Sequence, residues 1–188
     1  RFPHRSQMYH NEGNGTFREV SREVGINSLA FTKSATWGDY DNDGWLDIYV
    51  SNLGADNSLF KNNGKDKDGK ISFTDVTKEA GVAEPKFSFP SIFMDFDNDG
   101  WLDIFIAVHP GGQMDVSAEI PAEYLGKPSN PLLHPVLYRN NHDGTFTNIA
   151  KEAGLENIIY AMSCTAGDID NDGFPDIYAG TGFLDLRY

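Results

Sequence analysis

The chain has one cysteine, Cys164, so no intrachain disulfide can staple it. Cys164 lies in the apolar run Ala161-Met162-Ser163-Cys164-Thr165-Ala166 with no base beside it in sequence, and reads as a small core residue rather than a nucleophile. No apolar run is long enough to cross a bilayer as a helix. No lysine or arginine cluster offers a surface to nucleic acid, which excludes it as an expected partner. No segment has the form of a signal peptide, and the first residue is Arg1, which reads as the start of a mature product or an excised piece. Positive charge is scarce altogether: 15 Lys and Arg stand against 28 Asp and Glu, for a net charge of −13.

That negative charge is concentrated. One nine-residue pattern, Asp-x-Asp-x-Asp-Gly-x-x-Asp, occurs at Asp39–Asp47, Asp95–Asp103 and Asp168–Asp176 and holds twelve of the acids. The remainder of the chain is therefore close to neutral, and the acidity does not point to a basic partner. Four carboxylates at positions 1, 3, 5 and 9 of a short loop repel one another unless a hard cation lies between them. Oxygen-only ligands on a flexible loop suit Ca2+ better than Mg2+, which demands a rigid octahedron. Three calcium sites are expected. The first is Asp39, Asp41, Asp43 and Asp47 with the Trp45 carbonyl. The second is Asp95, Asp97, Asp99 and Asp103 with the Trp101 carbonyl. The third is Asp168, Asp170, Asp172 and Asp176 with the Phe174 carbonyl. Glycine at position 6 (Gly44, Gly100, Gly173) permits the sharp turn.

Solvated acidic turns are the competing reading of any single copy. Three copies in one register argue against it. An EF-hand shares the opening residues but needs a bidentate glutamate at position 12, where this chain has Val50, Ile106 and Ala179. The flanks are aromatic and β-branched and read as strands, not helices. Sites of low affinity stay filled where calcium is abundant, so an extracellular, periplasmic or cell-surface location is expected.

Each loop closes a longer repeat. Segments beginning at Met8-Tyr9, Leu59-Phe60 and Leu137-Tyr138 read as β-hairpins whose second strands carry Phe17, Phe73 and Phe146. A single helical turn ending at Gly25, Gly81 or Gly154 follows, then a strand into the metal loop and a strand out of it. Four short strands per repeat is the pattern of a propeller blade. The expected units are about 7–52, 58–108 and 136–181, within one partial propeller spanning 1–188. An inter-blade insertion is expected at 109–135, with a short helix near Asp115–Ile120. The six hairpin aromatics are expected in the core, with Trp45, Trp101 and Phe174 covering the loops. Asp66 and Asp68 read as a hairpin tip rather than a fourth cation site.

These loops and flanks resemble the FG-GAP/VCBS repeats, which build β-propellers related to the integrin α head. Phrases such as Leu137-Tyr138-Arg139-Asn140-Asn141-His142-Asp143-Gly144-Thr145-Phe146 and Gly167-Asp168-Ile169-Asp170-Asn171-Asp172-Gly173 most resemble the ASPIC/UnbV group, in which cartilage acidic protein falls. The resemblance implies calcium on the loop carboxylates and a propeller with more blades than three repeats supply. The expected fold is thus all-β: three consecutive four-stranded blades of an incomplete calcium-binding β-propeller, a fragment of a longer protein. The open sheet edges call for missing blades or self-assembly.

The expected function is a calcium-stabilised extracellular adhesion scaffold, secreted, with a protein or glycan ligand and no catalytic residue. The alternatives are a polysaccharide lyase or hydrolase on a calcium propeller, drawing on His109, His134, His142 or Tyr124, and a structural segment of a larger assembly. No H-E-x-x-H or G-x-S-x-G pattern accompanies those histidines.

Overall fold

The structure is a computed structural model that describes residues 5–109, 134–155 and 161–181. Strands β1 (Tyr9–Asn11) and β2 (Phe17–Glu19) form the first hairpin; β3 (Thr32–Gly38) and β4 (Asp47–Asn52) flank the first acidic loop. The second hairpin is β5 (Ser58–Lys65) and β6 (Ile71–Asp75), followed by helix α1 (Thr77–Ala80). The second loop lies between β7 (Ser88–Met94) and β8 (Asp103–Val108), and the third hairpin is β9 (Val136–Asn140) and β10 (Phe146–Asn148). The third loop lies between β11 (Ala161–Gly167) and β12 (Asp176–Thr181). The fold is all-β with open antiparallel sheets, as the repeats imply. Helix α1 is the one-turn helix expected, closed by Gly81 in the left-handed conformation at φ 75°.

The strands are cut into blades at a different point from the sequence repeats. Described residues form two four-stranded sheets, β3-β4-β5-β6 and β7-β8-β9-β10, and two two-stranded sheets, β1-β2 and β11-β12. The twelve strands are those expected, but each hairpin joins the loop-flanking strands of the preceding repeat. β5 turns back onto β4 across the short link Leu53–Asn57, and β9 returns to β8 in the second sheet, whereas the path from β6 to β7 runs through α1 and crosses to the next sheet. The 109–135 insertion accordingly joins β8 to β9, neighbours in one sheet, instead of lying between blades. Residues 110–133, which include the helix expected near Asp115–Ile120 and Tyr124, lie outside the described residues.

Apolar residues facing adjacent sheets make the core. Val20, Val24 and Ile26 pack on Ile48, Val50, Phe60 and Phe73 between the first hairpin and the first full sheet. Tyr49, Leu59, Val82, Ile104, Ile106 and Tyr138 join the two full sheets. Met94, Phe105, Leu137 and Ala161 join the second to β11-β12, with Cys164 half-buried at its margin. Gly38 lies where β3 meets the second full sheet: a Cβ there would lie 2.6 Å from the Phe93 ring and 2.9 Å from Leu102. Phe60, Phe73, Tyr138 and Phe146 are buried as expected, whereas Tyr9 and Phe17 are exposed. The correction follows from the blade phase: β1-β2 has no loop-flanking pair beside it among the described residues.

Candidate metal centre

In each loop the position-1 aspartate organises the turn. The N–H groups of Asp43 and Gly44 donate to the two Asp39 oxygens at 3.1 and 2.9 Å. Asp99 and Gly100 donate to Asp95 at 3.0 and 2.9 Å, and Asp172 and Gly173 to Asp168 at 3.2 and 2.9 Å. Position 5 repeats the device one turn on, with Trp45, Trp101 and Phe174 donating their N–H to Asp43, Asp99 and Asp172 at 2.9, 2.9 and 2.8 Å. Glycine is required at position 6, where φ is 89°, 88° and 94°.

This turn gathers carboxylate oxygens. Asp39, Asp41 and Asp43 each bring one oxygen into a group lying within 4.8 Å; Asp95, Asp97 and Asp99 do the same, as do Asp168, Asp170 and Asp176. Asp172 is not in the third group. The donor set is all oxygen and anionic, which fits a hard cation such as calcium. The first loop adds an observation of its own: Asp41 Oδ1 is buried with no hydrogen-bond partner. The other oxygen of that carboxylate is met by Lys61, so Oδ1 is the one left to accept from a further donor or cation.

Position 9 joins the gathered oxygens only in the third loop; in the first two, Asp47 and Asp103 lie outside the groups and hold the backbone. Asp47 and Asp103 are fully buried. Asp47 accepts the N–H of Tyr40 at 3.1 Å and of Asn62 at 2.7 Å. Asp103 accepts those of Phe96 at 3.0 Å and Asn140 at 2.8 Å. Each carboxylate thus clips the start of its own loop to the following hairpin. Burial pushes both carboxyls up to about 6, against the pull of those backbone N–H groups. Asp176 accepts the N–H of Ile169 at 3.0 Å and is exposed.

The following hairpin also reaches back to the loop. Lys61 of β5 donates to Asp41 and, at 2.8 Å, to Asp43, holding the Asp43 carboxyl below its usual range. In the second loop His142 takes that place: Nε2 lies 2.7 Å from Asp99 Oδ2 and the ring stacks on Trp101 at 4.8 Å. Asp99 is lowered mainly by the Trp101 N–H and then by His142. Trp45 closes over Gly64, which occupies the position of His142 in its hairpin. Of the histidines weighed for catalysis, His142 is therefore engaged with an acidic loop, and His109 packs on Phe89 at 5.3 Å. Asp66 accepts the N–H groups of Asp68 and Lys70, a turn satisfied by its own backbone.

Two sets of asparagines do work that a reading for carboxylates passes over. The position-4 asparagines Asn42, Asn98 and Asn171 have φ of 55°, 57° and 61°, the left-handed region asparagine tolerates. Asn42 Nδ2 donates to the Gly100 carbonyl at 3.0 Å and Asn98 Nδ2 to that of Gly173 at 2.6 Å. The three loops thus form a chain along one side of the molecule. In the hairpins, Asn62 and Asn140 donate from Nδ2 to Leu46 and Leu102, both at 3.1 Å. Recurrence of asparagine at these positions was the available signal.

Comparison with known proteins agrees with this repeat geometry. The chain is 33% identical over 104 residues to cartilage acidic protein 1 of Mus musculus, a match covering 52% of this chain and 15% of that protein. Identity to cartilage acidic protein 1 of Homo sapiens is 33% over 104 residues, covering 14% of that protein, and to that of Xenopus tropicalis 31%, covering 15%. The chain therefore spans a small part of the length of these relatives. A family profile for FG-GAP-like repeats matches residues 1–50, 39–106 and 95–179. With matches running along nearly its whole length, this chain belongs to the FG-GAP-like repeat family.

Proposed function

We propose that the chain is a calcium-stabilised scaffold of an extracellular protein, each acidic loop binding one ion and the blades presenting a surface to a protein or glycan. The observation that carries this is the triply repeated oxygen cluster, with the orphaned Asp41 Oδ1 in the first. Calcium at each loop would supply the positive charge that opposes carboxylate repulsion. The ligands would be the position-1, 3 and 5 aspartates, the position-9 aspartate and the position-7 carbonyl, including Asp172 of the third loop. The protein's own groups hold the loop in shape: position-1 carboxylates fix the turn, and position-9 carboxylates tie it to the next hairpin. Adhesion or matrix binding is the role proposed for the presented surface, and no group in the loops is assigned to catalysis.

Titration calorimetry with calcium tests the reading, together with thermal unfolding in calcium and in chelator. Three ions bound per chain and a melting temperature raised by calcium are expected. At about a hundred times the dissociation constant, one native-only site adds roughly 2.7 kcal/mol. Absence of bound divalent ion at millimolar calcium would overturn it.

A further inference from the structure

We propose that Lys61 is a tethered counter-ion of the first acidic loop: its ammonium takes up the loop's charge when calcium is absent, and calcium entering that loop must displace it. The inference rests on the calcium reading of the loops and goes beyond it by making the first site unlike the second.

The strand places the ammonium. Phe60 faces Ile48 across the β4-β5 pair and enters the core. Lys61, next along β5, therefore points to the other face of the sheet. The N–H of Asn62 is held by Asp47 at 2.7 Å, which fixes this part of β5 beside the end of the loop. From there the Lys61 side chain reaches back and donates to Asp41 Oδ2 and, at 2.8 Å, to Asp43 Oδ2. These are two of the three aspartates whose oxygens gather in this loop. The contact is sheltered: the side chains of Lys61, Asp41 and Asp43 are 29%, 20% and 33% exposed. Charges so enclosed are screened less than a pair standing free in solvent.

Calcium shared between Asp41 and Asp43 at about 2.3–2.6 Å from each would stand in, or directly beside, the place the ammonium holds. A single and a double positive charge within about 4 Å repel each other even in water-like surroundings, so the ammonium has to leave. The second loop sets no such charge in the way. Arg139 stands at the position of Lys61 in its own hairpin, is exposed, and forms no ion pair with the loop among the described residues. Asp99 there meets one nitrogen of His142, whose ring is held by stacking on Trp101. The two full blades thus offer an ion different loops. The first keeps its acids countered without calcium, and it fills at higher calcium than the second.

Calcium titration calorimetry and thermal unfolding of the full chain, Lys61→Met and Lys61→Arg test this. Lys61→Met keeps the reach of the side chain and removes its charge. One of its calcium binding constants should be tighter by about tenfold or more, and in chelator it should melt below the unmodified chain. Lys61→Arg, which keeps the charge, should not tighten calcium binding. Acetylation of the unmodified chain at fixed pH, read at Lys61 by mass spectrometry, needs no variant: Lys61 should react several-fold faster in calcium than in chelator. Absence of bound calcium in every one of these chains overturns the calcium reading and this proposal with it. Calcium bound with constants that Lys61→Met leaves unchanged or weakens, a Lys61→Met chain as stable as the unmodified one in chelator, or Lys61 acetylated equally in calcium and chelator overturns this proposal alone.

Discussion

Replacing Asp103 by alanine separates the clip from the ion. The carboxylate is buried and its two oxygens hold the N–H groups of Phe96 and Asn140 at 3.0 and 2.8 Å. Alanine leaves both donors buried without an acceptor, at about 1–3 kcal/mol each. The vacated volume adds a smaller loss, and relief of the carboxylate's desolvation subtracts from the sum. A net destabilisation of about 3 kcal/mol is expected, a large share of the roughly 5–15 kcal/mol typical of a domain. Asp103→Asn retains one acceptor and should lose about half as much. Urea unfolding in excess chelator is the assay, because calcium ligation then contributes nothing. A change in chelator below about 0.5 kcal/mol, within the range of ordinary surface substitutions, would refute the clip.

Other consequences of the same geometry can be checked separately. Asn98→Ala removes the bond to the Gly173 carbonyl; calorimetry should show calcium binding at the second and third loops becoming independent, with the first loop unchanged. Gly38→Ala sets a Cβ 2.6 Å from the Phe93 ring and should lower stability by about 1–3 kcal/mol in a denaturant titration. For pH, the carboxyls of Asp47 and Asp103 are raised from 3.8 to about 6 in the folded chain. Their protonation stabilises the metal-free protein fully below pH 4, and that part of their contribution is lost as pH rises through 6 while the N–H bonds of the clip remain, which unfolding in chelator across that window should show. Calcium affinity should instead weaken as pH falls through the same range, because the ion requires these groups ionised.

Most of the fold is legible in the sequence because its determinants are local. Asp-x-Asp-x-Asp-Gly fixes a turn through bonds within five residues, as Asp39 shows with Asp43 and Gly44. The aromatic and β-branched flanks make strands, and Gly81 ends its helical turn. The blade phase is not local. The repeat Phe60-Lys61-Asn62 to Asp103 has the same composition wherever the sheet boundary falls, and the pairing of β5 with β4 across a short link and of β9 with β8 across the 109–135 insertion is not written in it. For the same reason Tyr9 and Phe17 read as core from their hairpin alone, although their burial depends on strands from another repeat. At the loops, charge spacing reveals the carboxylates but not the division of labour among them. That Asp47 is clamped by Asn62, fifteen residues on, requires the pairing to be known first.

The offset between repeat and blade determines how the molecule holds together. If each repeat were one blade, neighbouring repeats would meet only through side-chain packing. Here every full sheet is made half from one repeat and half from the next, so ladder hydrogen bonds cross the repeat boundary at β4-β5 and β8-β9. The position-9 carboxylate lies at that seam, joining the loop of one repeat to the hairpin of the next. Lys61 and His142 cross the same seam to the loop acids. The position-4 asparagines then join loop to loop. Stability in such an array is carried by nearest-neighbour terms, and here those terms converge on the acidic loops. Loss of order at one loop must therefore weaken the sheet shared with the following repeat as well as its own turn. Among the described residues the β1-β2 hairpin takes part in no such seam, and there Tyr9 and Phe17 are exposed.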